Sequence, residues 1–366
     1  MDLTPFEDAG LLDPASPDHD GIVEMLEYLD SLGISTHDLL TDYRSGNIHA
    51  AGTAGVLRDG DLSAADVAAE LGTDPEHVLE IYRLLGVDLS GPDAKRLRRD
   101  EVDGMRTLLG ATERFEGGEA DEILRAASAA LTHVAEAVVS VFVGGVEERT
   151  ENELSHLERA QLNQVMTETG AEFGRTMGRL FRHHLWGAVE RQRASMVDAS
   201  DRQLRTMTVG FVDLVGFTPL SAGMSSAELV AFIRDFEARS YDIASRSGGR
   251  IVKTIGDEVM ISALTADAGA VIVLDLIDTF RTGATAPRGG LSSGSVVARQ
   301  GDYFGPVVNL ASRLVDQAVP GEVLTDVASS HQMSICRCDP AGRRMLKGFA
   351  DPVEVVSITR GRSAGT

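Results

Sequence analysis

The period of the apolar residues changes near Arg205, and this feature limits the chain to two differently built parts. Ahead of it, apolar residues recur at helical spacing in GIVEMLEYLDSLG, HVLEIYRLLG, DEILRAASAALTHVAEAVVSVF and HLERAQLNQVMTETGAEFGRTMGRLFRHHLWGAVERQRA. Gly and Asp-Pro separate these runs, and no long alternating segment interrupts them. Behind it, short β-branched runs such as TMTVGFVDLV, RIVKTI, EVMISAL and PVEVVSI alternate with helical ones such as SAELVAFIRDFEARSYDIASRSG. The spacing predicts an all-α domain over 1–190, a helical connector over 191–205 and an α+β domain over 206–366.

Composition narrows the functions. With 34 basic and 56 acidic residues the net charge is −22, which argues against non-specific binding to nucleic acid or an anionic membrane. A polyanionic substrate then needs a local basic cluster or metal ions. Cys336 and Cys338 lie too close in sequence to bridge each other and read as packing residues in a reducing compartment. The acidic N-terminus lacks the parts of a signal peptide. The apolar run Ala135 to Val146 contains Glu136 and reads as too short to span a bilayer. These features predict a cytoplasmic protein with no transmembrane segment.

Leu62 to Gly86 has the pattern of a helix–turn–helix, but its second helix begins TDPEHVLEIYR, with three acids and one arginine. A helix meant for the major groove carries the reverse, so a bundle element is expected and no nucleic-acid partner.

Four features of the C-terminal part carry chemistry. In FVDLVGFT, Asp213 sits inside an apolar strand, where an unpaired carboxylate costs several kcal/mol. Gly216, Phe217 and Thr218 follow it and cluster backbone N–H groups suited to phosphate oxygens. RIVKTIGDEVMIS reads as a hairpin with Asp257 at its tip. Asp213 and Asp257 on neighbouring strand ends would form a Mg²⁺ or Mn²⁺ site, although Asp257 alone reads as a turn aspartate. Lys253, four residues before Asp257, reads by itself as a solvated lysine. In GDYFGPVVNLASRLVDQA, Asn309 and Arg313 share a helical face, suited to ribose and phosphate or to plain surface, and Asp302 precedes that helix.

Together FVDLVGFT, KTIGDEVM and DYFGPVVNLASRL resemble the catalytic domain of class III nucleotidyl cyclases, across roughly Met207 to Ile358. The resemblance implies a ferredoxin-like, palm-like βαββαβ core active as a head-to-tail homodimer. It implies that Asp213 and Asp257 bind two divalent metal ions, that Lys253 and Asp302 read adenine, that Asn309 orients the ribose, and that Arg313 stabilises charge on the α-phosphate. Relatives that use GTP carry Glu and a small residue in place of Lys253 and Asp302, so ATP is the expected substrate and cyclic AMP the product. Phe349 stands where many relatives place a phosphate-binding lysine, and Pro306 where many have a polar residue. The alternatives are a guanylate cyclase and a catalytically silent nucleotide sensor.

The helical part is similar, by architecture, to that of soluble actinobacterial cyclases in which a dimeric helical domain inhibits the catalytic pair under pH or lipid control. His183 and His184 are the candidates for a proton switch, the structural alternative being a pair partly buried beside Trp186. The apolar helices between Ile123 and Val146 either form a dimer core or enclose a fatty-acyl effector.

Overall fold

The computed structural model describes residues 1–52, 60–115, 118–142, 154–196, 204–281 and 286–361. It divides into two compact units, Met1–Arg182 and His183–Thr366.

The α-helices of the first unit, among its described residues, are α1 (Thr4–Asp8), α2 (His19–Ser31), α3 (Thr36–Arg44), α4 (Ala64–Leu71), α5 (Pro75–Leu84), α6 (Glu101–Thr112), α7 (Glu119–Phe142) and the start of α8 (His156–Ser195), with a single bridge between Leu62 and Leu97. Helix-to-helix punctuation is local. Ser63 and Asp66 form a reciprocal capping box, Gly72 closes α4 at φ +71°, and Asp74 caps α5 ahead of Pro75. This pair of helices packs Val67, Val78 and Ile81 into one core with Leu97, Met105 and Leu109. A second core gathers Phe6, Met25, Leu29 and Leu39 with Ala160 of α8. Residues 64–84 are thus a bundle element, with Arg83 tied to Glu76 on the acidic second helix.

The view of the apolar run as too short took in only its end. Helix α7 offers 23 residues, Glu119–Val141, long and apolar enough to cross a membrane, of which 6% of the most apolar window is buried. One such helix is weak support for a span, because an amphipathic helix that buries its stripe in an oligomer passes the same test. Residues 143–146 of the run lie outside the described residues. Helix α8 runs unbroken for 40 residues, about 60 Å at 1.5 Å per residue. Of the expected connector, 191–195 are its last residues and 197–203 lie outside the described ones.

The second unit holds an eight-stranded sheet in the order β2-β3-β1-β4-β6-β8-β7, with β5 paired to β4. Its strands are β1 (Leu204–Val215), β2 (Gly249–Ile255), β3 (Glu258–Ala263), β4 (Ala286–Arg299), β5 (Asp302–Phe304), β6 (Val323–Asp326), β7 (Cys336–Arg344) and β8 (Val353–Arg360). Between them lie α9 (Phe217–Ser221), α10 (Ser226–Arg246), α11 (Ala266–Phe280), α12 (Pro306–Gln317) and α13 (Val327–Ser330). The order β1-α10-β2-β3-α11-β4 is the ferredoxin-like βαββαβ core expected from the sequence.

Strand β1 alternates across the sheet. Val212 and Leu214 pack with Ile272, Val273 and Leu276 of α11. Met207, Val209 and Phe211 pack on the other face with Ala311 and Val315 of α12. Gly290 on β4 allows that close approach, since a Cβ there would stand 2.2 Å from the Val315 backbone N. Pro306 occupies the first turn of α12, where a missing N–H costs nothing and a fixed φ favours the helix. Cys336 and Cys338 stand side by side on β7, unpaired and partly buried at the core edge.

Candidate active site

Asp213 lies on the α12 face of β1, two residues beyond buried Phe211. The antiparallel register sets Arg288 of β4 opposite it on one side and Glu258 of β3 opposite it on the other. The Arg288 Nε donates to Asp213 Oδ2 at 2.7 Å, with the two side chains 25% and 20% exposed. Arg288 Nη1 also donates to the backbone oxygen of Asp316, 3.0 Å away in the last turn of α12. The partner that an aspartate in an apolar strand demands is therefore in the chain itself, Arg288 of β4.

Asp257 sits in the Gly256–Asp257 turn between β2 and β3, and its backbone oxygen accepts from the Leu214 N–H at 3.2 Å. The hairpin thereby brings Asp257 beside Asp213. Burial, with the nearby Asp213 charge adding to it, raises the Asp257 carboxyl above the usual carboxylate range. Glu258 is pushed up to about 7, first by burial and then by the charges of Asp213, Asp316 and Asp257, with Arg288 opposing. Carboxyls that resist ionisation together mark a place that attracts positive charge. No group of three or more His, Cys, Asp or Glu among the described residues is arranged as a complete metal cage. Two hard carboxylates suit a hydrated divalent ion that also takes substrate oxygens.

Gly216 turns the chain at φ +88° directly after β1, and α9 begins at Phe217. Phe217 stacks on Phe232 of α10 with ring centroids 5.3 Å apart. This fixes the backbone of Gly216, Phe217 and Thr218 just past Asp213.

A second cluster forms on β2, four residues before the Asp257 tip. Lys253 Nζ lies 2.5 Å from Asp302 Oδ2, although 49 residues separate them. Lys253 is on β2 and Asp302 opens β5, and the other Asp302 oxygen takes the Tyr303 N–H at 2.8 Å. On α12, Asn309 is exposed, while Arg313 Nη1 lies 3.0 Å from Asp316 Oδ2. His183 and His184 belong to neither cluster. Both are exposed on α8, and Trp186 is itself 62% exposed, so this chain by itself does not bury the pair beside the tryptophan.

Sequence reasoning missed Arg288, Glu258 and Asp316. Arg288 carried no local signal, because its place beside Asp213 is set by the register of β1 against β4, 75 residues apart in sequence. Phe349 is partly buried against Leu346 and Val355, which explains why that position carries no lysine side chain into solvent.

Residues 200–356 match the adenylate and guanylate cyclase catalytic domain. The whole chain is 30% identical to an uncharacterised protein of Mycobacterium tuberculosis H37Rv and spans 97% of it. It is 32% identical to an adenylate cyclase of Streptomyces coelicolor, over 75% of this chain and 72% of that one. It is 27% identical to a pH-sensitive adenylate cyclase of Mycobacterium tuberculosis CDC 1551, over 82% of this chain and 78% of that one. The chain belongs to the adenylate and guanylate cyclase family, and it is a nucleotide cyclase with a helical region ahead of its catalytic domain.

Proposed function

We propose that the chain is an adenylate cyclase that converts ATP to 3′,5′-cyclic AMP and pyrophosphate. The observation that carries this reading is the Lys253–Asp302 pair at 2.5 Å. A lysine donor and a carboxylate acceptor held together match the acceptor N1 and the donor N6 amino group of adenine. Guanine offers the reverse on those edges and would leave buried polar groups unmatched.

Asp213 and Asp257 would hold the divalent ions. Bound there, two such ions supply activation of the 3′-hydroxyl and charge neutralisation at the leaving pyrophosphate. Arg288, which holds Asp213 in this structure, would offer its guanidinium to the phosphates in place of the lysine that Phe349 replaces. Gly216, Phe217 and Thr218 offer backbone N–H groups to phosphate oxygens. Asn309 orients the ribose, and Arg313, freed from Asp316, meets the charge that develops on the α-phosphate.

Chain length favours a homodimer. Lys253 and Asp257 are four residues apart across a tight turn, and extended chain spans only about 3.3–3.6 Å per residue. One nucleotide can hardly place its base on the first and its triphosphate on the second. Two shared sites remove the conflict, each with the carboxylates from one chain and the base, ribose and α-phosphate residues from its partner. The exposed apolar side chains of α7 and α8, such as Leu131 at 63% and Phe181 at 63%, support an interface between helical regions. The helical region then sets the geometry of the catalytic pair in the cytoplasm, with a proton or a fatty-acyl molecule as effector.

The test is product formation from ATP and from GTP with Mn²⁺, for the full chain and for residues 193–366. Cyclic AMP from ATP, exceeding cyclic GMP from GTP, is expected; silence of both proteins refutes the proposal. Mixing Asp213→Ala with Lys253→Ala protein should restore one intact site per heterodimer, and failure to restore activity refutes the shared site.

A further inference from the structure

The chain carries 22 more acidic than basic residues, yet one cleft of about 300 Å³ is lined by arginines and by no acid among the described residues. It lies within the unit that begins at His183, between the last turns of α8 and the sheet. Arg191 and Ser195 come from α8, Arg205 from β1, Arg250 from β2, and Tyr303 from β5, with Arg299 and the Gln300–Gly301 turn on the wall.

Three of these guanidiniums are placed by structure. Arg205 is 7% exposed, and among the described residues its guanidinium donates only to the backbone oxygen of Leu204, at 2.8 Å. Arg250 lies over the Tyr303 ring, 5.3 Å from its centroid, and donates through Nη2 to the Gly301 oxygen at 2.5 Å. Its Nε is buried with no partner among the described residues. Arg191 projects from an exposed helical position one turn before Ser195, whose hydroxyl donates to the Arg191 oxygen at 2.7 Å. No described carboxylate pairs with Arg191, Arg205 or Arg250. Like charges gathered from three elements repel each other, and holding one of them nine-tenths buried adds desolvation. Such an arrangement is balanced by an anion with several oxygens, and planar guanidiniums suit phosphoryl oxygens best.

We propose that this cleft is a second, regulatory binding site for a small phosphorylated anion of the pyrophosphate or phosphate class, separate from the nucleotide site. Its effect runs through two short links. Arg250 stands three residues before Lys253 on β2, and Gly301, which accepts from Arg250, directly precedes Asp302. An anion that draws Arg250 away from the Gly301 oxygen shifts the backbone that carries Asp302, and it ties the end of α8 to that same turn. The site stands by itself; its influence on nucleotide binding rests on the adenine-reading role of Lys253 and Asp302.

Calorimetric titration of the full chain with inorganic pyrophosphate, and separately with phosphate, needs neither nucleotide nor divalent metal. The expected result is saturable binding that Arg191→Gln and Arg250→Gln each weaken tenfold or more and Arg288→Gln leaves within threefold. The tighter of the two anions identifies the source. Arg191→Gln alters an exposed helical side chain and keeps the fold, which circular dichroism checks. Absence of binding, binding indifferent to Arg191→Gln, or binding abolished by Arg288→Gln overturns the site. In the cyclase assay the anion should change the nucleotide KM at least threefold in the unaltered chain and not in Arg191→Gln. Binding without that change overturns the coupling and leaves the proposed reaction untouched.

Discussion

Replacing Arg288 by alanine separates the two sources of positive charge for Asp213. In the chain as it stands, the guanidinium touches Asp213 at 2.7 Å and caps the last turn of α12 through the Asp316 oxygen at 3.0 Å. Removing one partner of a buried pair costs about 3–5 kcal/mol, because the other charge is left alone. A fifth to a quarter of each side chain reaches water here, so screening reduces the cost to about 2–3 kcal/mol. For a unit of this size that lowers Tm by roughly 4–12 °C. Without Arg288, the charges of Asp213, Asp257 and Glu258 face each other unopposed, and a divalent ion should serve as the missing cation. A ligand at about 100 times its Kd adds about 2.7 kcal/mol. In the unaltered chain the ion must first displace Arg288, so its net gain is smaller. Thermal denaturation with and without Mn²⁺ therefore should show a larger metal-induced rise in Arg288→Ala than in the parent. A Tm drop under about 2 °C, or equal rises in the two proteins, would refute the idea that Arg288 and metal compete for one carboxylate.

The other predictions concern separate parts of the fold. Lys253→Glu with Asp302→Cys should lower the preference for ATP over GTP by about 100-fold, measured as a ratio of kcat/KM. Gly290→Ala forces a Cβ to within 2.2 Å of the Val315 N, so it should cost at least about 2–3 kcal/mol in denaturant unfolding and displace α12 with Asn309 and Arg313. In the helical unit, His49 stacks on His156 with its Nε2 2.9 Å from Nδ1, and burial, with His156 and Arg159 beside it, pushes its pKa down from 6.5 to about 4. The unfolded chain protonates this ring first, so its contribution to stability is complete above pH about 6.5 and is lost as pH falls toward 4. The full shift is worth about 3 kcal/mol, and a partly exposed ring keeps about 1–2 kcal/mol of it. The parent should lose that stability between pH 7 and 4.5, and His49→Gln should flatten the loss; parallel curves would refute it.

The period change at Arg205 revealed the two kinds of architecture. Turn chemistry was as legible: Gly216 at positive φ and the Gly256–Asp257 tip lie where Gly-Phe-Thr and Ile-Gly-Asp-Glu put them. Contacts set by register across strands were not. Arg288 meets Asp213 across 75 residues of sequence, and nothing local in PRGGLSS gives the pairing of β1 with β4. The exposure of His183 and His184 was hidden for a related reason. Helical spacing locates a stripe, but what covers that stripe lies outside a single chain's pattern.

The charges around Asp213 also bear on how many metal ions the proposed site needs. Asp213, Asp257 and Glu258 face the single guanidinium of Arg288, while Asp316 is held by Arg313. With all three carboxyls ionised the cluster has two negative charges in excess, and Glu258, at about 7, sheds part of one. One dication brings it close to neutral, which gives a triphosphate little to bind. A second makes it positive, the sign that a polyanionic substrate requires. The carboxylates therefore favour two ions bound together with nucleotide over one bound in advance, and Arg288 holds Asp213 until they arrive. Metal binding measured without nucleotide should then be weak and close to one ion per site, rising to two when a non-cyclisable ATP analogue is present. Two tightly bound ions in the absence of nucleotide would refute this ordering.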